Sequence, residues 1–158
     1  MVDIEWREYS RVGPATPEQI ARVEVRVGHK FPEDFKQALL KHQGMAPRPS
    51  RLQLDPGWPK KGFGVLRNCV EGHTDNIAEF LDIWREDGYP TYLVPISTAK
   101  GQPHFALDYR AAEEDPAIVY VLPEYLPDPH WDDPGDSEWD FLVPAASSFT
   151  ELLEKMEE

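Results

Sequence analysis

The sequence has a single cysteine, Cys69, so it cannot form an internal disulfide bond. It has no apolar run near the roughly 18 residues that a membrane-spanning helix needs. Its opening, MVDIEWREYS, is rich in acids, whereas a secretory signal begins with basic and then apolar residues. These absences argue against a secreted, disulfide-stabilised protein and against a membrane protein, and they predict a cytoplasmic one.

Basic residues are almost missing from the last third of the chain. Residues 111–158 hold 14 Asp and Glu but one base, Lys155, whereas residues 1–110 hold 15 of each sign. The formal net charge of −13 therefore lies entirely in the last 48 residues. Such a field repels nucleic-acid phosphates and anionic membranes and attracts basic partners. We expect no nucleic acid and no membrane as partner; the alternative is that the acidic surface only aids solubility.

The length and the apolar content fit one folded unit. With 158 residues, of which 41% are apolar, and with 5 Trp, 6 Tyr and 7 Phe, the chain can build one good core. No repeat and no linker divides it. We therefore predict a single domain over residues 1–158.

Helical signals occur in four places. The first helix starts with the capping-box pattern Thr16-Pro17-Glu18-Gln19 and stops at Gly28. The third has apolar residues at i, i+3, i+4 and i+7, with Thr74 or Asp75 near its cap and Gly88 just beyond its end. In order, the four helices are predicted within residues 16–28, 31–44, 77–84 and 148–156.

Short runs of β-forming residues lie between the third and fourth helices. Strands are predicted over Tyr92–Ile96, His104–Tyr109 and Ile118–Leu122, the first two forming a hairpin around Lys100-Gly101. Consecutive strands with short connections favour an antiparallel sheet. The fold class is therefore α+β, a mostly antiparallel sheet of four to six strands with helices packed on one side. Weaker predictions are strands at 62–66 and 139–143 and loops at 45–62 and 123–138.

Two segments resemble the SUKH superfamily, which is also named after the yeast Smi and Knr regulators. The first is residues 15–44, where Phe31-Pro32-Glu33-Asp34-Phe35 opens the second helix and His42-Gln43-Gly44 ends it. The second is LVPISTAKGQPHFALDYR, residues 93–110. Gln43 stands where the family usually has Asn. The resemblance covers nearly the whole chain and implies the α+β fold described above.

The resemblance also implies a binding role. Bacterial members are commonly immunity proteins that neutralise secreted toxins, so the expected partner is a basic toxin domain such as a nuclease. Eukaryotic members are similar to regulatory modules, which leaves a regulatory or scaffold role with an endogenous partner as the alternative. In either case the chain is expected to be a monomer or a weak dimer and to need no cofactor.

The most distinctive stretch is residues 124–140, which hold seven acids, three aromatic residues and no Lys or Arg. Carboxylates pair with basic side chains, and Tyr and Trp provide contact area at a modest entropy cost. The alternative is a solvated loop whose aromatic residues fold back onto the core. Asp108, Tyr109 and Arg110 are secondary candidates for contact. The predicted partner-binding residues are Glu124, Asp128, Trp131, Asp132, Asp133, Asp136, Glu138, Trp139 and Asp140.

Two other patterns could suggest an enzyme. Asp128, His130, Asp132 and Asp133 offer oxygen and nitrogen ligands, but the spacing of a calcium loop and the tetrahedral set of a zinc site are missing. A metal-dependent hydrolase is therefore only a distant alternative. Cys69, His73 and Asn76 could form a catalytic group, but their spacing matches no known signature, and a buried structural cysteine is favoured. We predict no catalytic residue, no metal and no enzymatic activity.

Overall fold

The computed structural model describes residues 4–98, 105–111, 114–121 and 142–158. Within these ranges it has four helices and ten strands. The helices are α1 (Pro17–Val27), α2 (Glu33–His42), α3 (Ile77–Glu86) and α4 (Phe149–Glu154). The strands are β1 (Glu5–Glu8), β2 (Met45–Arg48), β3 (Arg51–Leu52), β4 (Lys61–Gly62), β5 (Val65–Leu66), β6 (Leu93–Pro95), β7 (Ser97–Thr98), β8 (Phe105–Asp108), β9 (Ala117–Val121) and β10 (Leu142–Ala146).

The largest sheet of the described residues has four antiparallel strands in the order β10-β9-β8-β6. Its central strand β8 is buried along its whole length, as is most of β9. A strand that is buried on both faces needs apolar residues at consecutive positions, and this explains the runs of Phe, Leu, Ile and Val by which these strands were predicted. The predicted α+β class with an antiparallel sheet is confirmed.

Three further two-stranded pairs surround this sheet, namely β1-β2, β3-β4 and β5-β7. They show that the prediction of a long loop over residues 45–62 is wrong, because β2, β3 and β4 all lie within it. The physical reason is that these strands are only two to four residues long, and that β2 pairs with the distant β1. Pro47, for example, is opposite Trp6 of β1. Local periodicity cannot reveal such pairs.

The first helix begins and ends as its sequence indicates. Thr16 Oγ1 accepts a hydrogen bond from the Gln19 N–H at 3.1 Å, and Gln19 Oε1 accepts one from the Thr16 N–H at 3.2 Å. At the other end Gly28 has φ +82°, the left-handed conformation that favours glycine. In α4 the Ser148 hydroxyl accepts from the Glu151 N–H at 3.1 Å. The predicted capping box of α1 is therefore confirmed, and Ser148 caps α4.

The cap of α3 differs from the prediction. Asn76, and not Thr74 or Asp75, is the N-cap, because its Oδ1 accepts from the Glu79 N–H at 3.0 Å. The backbone of Asp75 is occupied elsewhere, since its carbonyl accepts from the Asn68 N–H at 3.2 Å. The helix itself begins at Ile77, where its apolar stripe predicted it, and only the capping residue differs.

The last strands lie close to their predicted positions. β10 starts at Leu142, later than the predicted strand from Trp139 to Val143, and β9 covers most of the predicted strand from Ile118. The hairpin partners β6 and β8 are paired as predicted. Several predicted features lie outside the described residues, namely His104, the Lys100-Gly101 turn, Leu122, the loop at 123–138 and Trp139.

The helices and the sheet share one core, at the centre of which four phenylalanines form a chain of ring contacts. Phe35 of α2 contacts Phe149 of α4 edge to face at 5.3 Å, Phe149 contacts Phe63 at 6.4 Å, and Phe63 stacks on Phe105 of β8 at 5.8 Å. All four are at most 1% exposed. Aromatic pairs of this kind add to the energy of area burial. The chain of rings fixes α2 and α4 to the sheet.

Candidate partner-binding surface

The predicted contact residues belong to the segment between β9 and β10. All nine of them, from Glu124 to Asp140, lie outside the residues that the structure describes, so their role stays a prediction. The structure does describe the two ends of this segment. Val121 is the last residue of β9, and Leu142 is the first residue of β10.

The two ends are direct neighbours in the sheet. Val121 is opposite Leu142, and Tyr120 is opposite Val143. Val121 and Leu142 are 2% and 7% exposed, so both are held in the core. Residues 122–141, which we call the acidic segment, therefore begin and end side by side at one end of the four-stranded sheet.

Aromatic and cation–π contacts hold Tyr120 at this end of the sheet. Tyr120 contacts Phe105 of β8 edge to face, with ring centroids 5.0 Å apart. The Lys61 ammonium lies 5.7 Å from the centroid of the Tyr120 ring, within the range of a cation–π contact. Because Tyr120 immediately precedes Val121, β4 lies next to the point where the acidic segment starts.

The C-terminal acids are held beside β4. Lys60 Nζ lies 2.9 Å from Glu157 Oε1 and donates to the Glu158 carbonyl at 2.6 Å. The backbones of Arg51 and Glu157 form an antiparallel bridge. The fold thus places Lys61 against Tyr120, just before the acidic segment, and the neighbouring Lys60 against the C-terminal acids. The sequence analysis missed this role of Lys60 and Lys61; that the two lysines are consecutive is the only sign of it in the sequence.

The secondary candidates lie at the opposite end of the sheet. Asp108 pairs with Ala117, four residues along β9 from Val121, which corresponds to about 13 Å. The Asp108 carboxylate accepts hydrogen bonds from Nε and Nη2 of Arg110, and the Nη2–Oδ2 distance is 2.7 Å. The Tyr109 hydroxyl donates to the Lys30 carbonyl at 2.7 Å. These polar groups hold the fold together and are not placed beside the ends of the acidic segment.

Cys69 is buried and unreactive in its environment. Its side chain is 3% exposed, and burial, with a smaller effect of Glu24, raises the pKa of the thiol to about 12. A thiol in this state holds almost no nucleophilic thiolate at neutral pH. The prediction of a buried structural cysteine is confirmed.

His73 and Asn76 hold the loop before α3. His73 Nδ1 accepts from the Asp75 N–H at 3.0 Å and is 3.2 Å from Asn68 Nδ2. Asn76 Nδ2 donates to the Val70 carbonyl at 2.9 Å, while its Oδ1 caps α3. His73 Nδ1, one of the nitrogens that a thiol–imidazole pair could use, is thus already engaged by hydrogen-bond donors of the loop. These contacts are those of an ordered turn.

A groove of about 520 Å³ lies between α1 and the segment before α3. It is mostly apolar and is bounded by α1, the 69–71 segment and Asn76. Among the described residues, no group of three or more His, Cys, Asp or Glu side chains is arranged to hold a metal ion. Within the same part of the chain, no helix has the length and apolar character to cross a membrane.

The fold is therefore an α+β domain on an antiparallel sheet, with charged and aromatic residues gathered at one end of that sheet. Its sequence matches the model of the SMI1 / KNR4 family (SUKH-1) over residues 14–155. The match covers most of the chain, and the chain belongs to this family. The resemblance seen in the helix pair and the strand pair is thereby confirmed. A comparison with curated proteins finds no significant match.

Proposed function

We propose that this member of the SUKH-1 family is an immunity protein that binds a basic toxin domain, such as a nuclease, and blocks its active surface. Domains of this family commonly serve as immunity proteins. The observation that carries the proposal is the charge distribution. All of the net charge of −13 lies after residue 110, and half of the acids there belong to one segment between two paired strands.

The anchoring of the acidic segment supports binding by occlusion. A toxin that cuts nucleic acid presents a basic cleft to phosphate, and an acidic segment complements such a cleft in charge. Val121 and Leu142, the strand residues that flank the segment, are paired and buried, so ordering them adds no entropy cost to binding. The C-terminal acids Glu157 and Glu158 lie near the same site, where Lys60 pairs with the Glu157 carboxylate.

Inhibition of this kind needs no catalysis by the chain. The thiol of Cys69 is buried, and the loop residues around it are engaged in structural hydrogen bonds. The proposed action is therefore stoichiometric: one chain covers one toxin domain for as long as the complex lasts.

The first experiment is co-purification from native cells with the tagged chain as bait, at low and at moderate salt. A basic toxin domain that is retained in a one-to-one ratio and released by salt would support the proposal. Retention of an endogenous housekeeping protein would favour the regulatory module instead. Retention of nothing, together with heat on titration of a divalent metal in a calorimeter, would favour the metal-dependent hydrolase.

The second experiment tests the acidic segment itself. Asp132, Asp133 and Asp136 are replaced by Lys, and affinity for the retained toxin domain is measured across a range of salt. The expected result is a loss of at least about 100-fold, since reversed charges at an interface act on affinity through several close pairs. An unchanged affinity would exclude binding through this segment.

A matched control has the same change of net charge at a different place. Glu5, Glu8 and Glu71 are exposed acids of the described chain that lie away from the acidic segment in sequence. Their replacement by Lys is expected to change affinity less than about fivefold, through long-range attraction alone. Equal losses in the two triple variants would show that total charge, and not the acidic segment, determines binding.

A further inference from the structure

Strand β1 (Glu5–Glu8) has an open side. Among the described residues, β2 is the only strand that pairs with it. Its residues are exposed except for Trp6, which is half-buried. One side of the β1 backbone is therefore available to a further strand.

The register with β2 shows which backbone groups point to this open side. Trp6 is opposite Pro47, which has no N–H, so these two residues cannot exchange a pair of hydrogen bonds. Because bonded and non-bonded pairs alternate along antiparallel strands, the residues of β1 that bond to β2 are Glu5 and Arg7. Trp6 and Glu8 therefore direct their N–H and C=O groups away from β2.

A hydrogen bond at the end of β1 agrees with this alternation. The Tyr9 N–H donates to the Gly44 carbonyl at 3.2 Å, as expected of the next bonded position. No backbone group in the described part of the chain bonds the N–H or C=O of Trp6 or Glu8. The open side thus presents two donors and two acceptors at the spacing that an antiparallel strand requires.

A groove of about 200 Å³ lies beside this open side, and we call it the α2/α4 groove. Trp6 forms one wall, and Ala38 of α2 with Phe149 and Leu153 of α4 belong to the others. β2 is described throughout and contributes no lining residue, so the groove lies on the open side of Trp6. Since a cavity of about 150 Å³ can hold benzene, the groove can hold one large apolar side chain.

A strand added to β1 would direct a side chain toward this groove. Residues directly opposite each other in an antiparallel pair project from the same face of the sheet. A residue opposite Trp6 is therefore on the side of the Trp6 ring, which stacks on His42 of α2 with centroids 4.6 Å apart. Domains that bind peptides by strand addition combine the same two elements, backbone bonds for affinity and a side-chain pocket for specificity.

The open edge alone would not indicate a partner. Natural sheets often end in short, charged strands that resist further pairing, and β1 is short and charged. The α2/α4 groove makes the difference, because an edge that only repels other strands needs no side-chain site beside it.

Glu5 and Arg7 determine which charges an added strand should carry. Their side chains are 71% and 59% exposed, and an ion pair so exposed, here 3.6 Å long, contributes little. Toward an added strand both occupy non-bonded positions, where opposite side chains come closest. An acid opposite Arg7 and a base opposite Glu5 are therefore favoured. Because the strands are antiparallel, the favoured order from N- to C-terminus is acid, apolar, base.

β1 itself has this order in Glu5-Trp6-Arg7, but a second copy does not fit. Its own α2 would lie beneath its β1, because the stack of Trp6 on His42 holds the two together. α4 of the first copy already lies at that place, since it forms a wall of the α2/α4 groove. A single extended segment has no helix attached beneath it and avoids this clash.

We propose that β1 accepts an extended segment of another protein as an added antiparallel strand. One large apolar side chain of this segment fills the α2/α4 groove, and an acid and a base flank it in the sequence. The site contains no residue of the acidic segment, so it goes beyond the toxin contact proposed above and does not depend on it.

A synthetic peptide tests this site in an NMR titration of the ¹⁵N-labelled chain. The probe is the capped heptapeptide Ser-Thr-Glu-Phe-Lys-Thr-Ser, whose Phe is placed opposite Trp6. The amide signals of Trp6 and Glu8 are expected to shift and to saturate with a Kd below about 1 mM. Replacement of the Phe by Ala should weaken binding at least about tenfold, because it empties the groove. Unshifted signals at about 5 mM peptide, or equal affinity of the two peptides, would overturn the proposal.

Two N-methylated peptides test the strand pairing. Methylation of the Phe nitrogen removes the N–H that donates to the Trp6 carbonyl and is expected to weaken binding at least about tenfold. The Lys nitrogen points away from β1, so its methylation should change the affinity less than about threefold. Equal losses for the two peptides would contradict strand addition in this register.

A matched pair of variants tests the β1 side of the contact. Glu8→Pro removes an outward N–H, which an edge strand tolerates, and should weaken binding at least about tenfold. Glu8→Thr removes the same charge but keeps the N–H, and its affinity should stay within about threefold of the wild type. Unchanged NMR signals outside β1 and β2 show that both variants are folded. Full affinity of folded Glu8→Pro would exclude the open side of β1 as the binding site.

Discussion

Val121 and Leu142 are direct cross-strand partners although residues 122–141 separate them in the chain. Both are buried, so the backbone positions at which the acidic segment leaves and re-enters the sheet are determined by the core. Seven of the 29 acids of the chain lie between these two positions. The electrostatic field that dominates the sequence is therefore attached to one defined end of the fold.

Gln43 connects three segments of the chain, and its loss should destabilise the fold. It is 2% exposed, its Nε2 donates to the Gly13 carbonyl at 3.0 Å, and its Oε1 accepts from the Cys69 N–H at 2.9 Å. Replacement of Gln43 by Leu leaves the Gly13 carbonyl and the Cys69 N–H without these hydrogen-bond partners. We expect the free energy of unfolding, measured by urea denaturation, to fall by about 2–4 kcal/mol.

Gln37 provides the control for this substitution. Its amide donates to the Glu33 carboxylate at 3.0 Å on the exposed side of α2, and Gln37→Leu is expected to change stability by less than about 0.5 kcal/mol. If the Gln43 and Gln37 variants were equally stable, the buried hydrogen bonds of Gln43 would contribute nothing. The shorter Gln43→Asn should retain one of the two bonds and lie between Gln43→Leu and the wild type.

The helices could be predicted because their signals are local. The capping box of Thr16 and Gln19 is contained in four consecutive residues, and it forms as predicted. The strands β1 and β2 could not be predicted in this way, because β1 (Glu5–Glu8) is almost wholly exposed and pairs with residues some 40 positions away. Their stability comes from partners that no window of sequence contains.

The sequence was enough to predict which residues form the candidate binding surface, but not where in the fold they lie. Counting charged and aromatic residues was enough to single out residues 124–140. The register of β9 and β10, which places the two ends together, depends on packing across the sheet. The salt bridge between Lys60 and Glu157 joins residues almost 100 positions apart, so sequence alone could not place the C-terminal acids at the same site.

Cys69 should be protected from thiol reagents in the folded protein. Because burial raises its pKa to about 12, little thiolate is present at neutral pH, and the reagent also needs access. We expect its reaction with an aromatic disulfide reagent to be at least about 100-fold slower in the folded chain than in urea. A fast reaction in the folded chain that His73→Ala slows would indicate a thiol–imidazole pair instead.

His42 should make the fold less stable in weak acid. Its ring stacks on Trp6 at 4.6 Å, and burial, with the charge of Lys41, lowers its pKa below the ordinary value of 6.5. The unfolded chain then binds more protons at this site than the folded one, so this contribution to stability is present above pH 6.5 and is lost as the pH falls below it.

The check is urea denaturation above and below this pH for the wild type and for His42→Phe, which keeps an aromatic ring against Trp6. The wild type is expected to lose more of its free energy of unfolding on acidification than the variant does. Carboxylates such as Glu33 and Glu151, whose pKa values hydrogen bonds lower, contribute equally to both proteins. Identical losses in the two proteins would show that His42 does not respond to pH in this range.

The pairing of Val121 with Leu142 predicts that the acidic segment is not needed for folding. Residues 122–141 can be replaced by Asn-Gly, the two residues that favour a tight turn between antiparallel strands. Since the strand ends already face each other, the shorter connection should leave stability unchanged or raise it by up to about 2 kcal/mol, because a shorter loop loses less entropy on closure.

Stability and binding of this variant together separate the two interpretations of the segment. If Tyr125, Trp131 and Trp139 serve a partner, the variant folds with at least wild-type stability and no longer binds the toxin domain. If these side chains cover the core, their removal exposes apolar surface, and the free energy of unfolding falls by several kcal/mol, since a large buried side chain contributes about 2–3 kcal/mol. A stable variant that still binds the toxin domain with full affinity would exclude the acidic segment as the binding site and direct attention to the C-terminal acids beside Lys60.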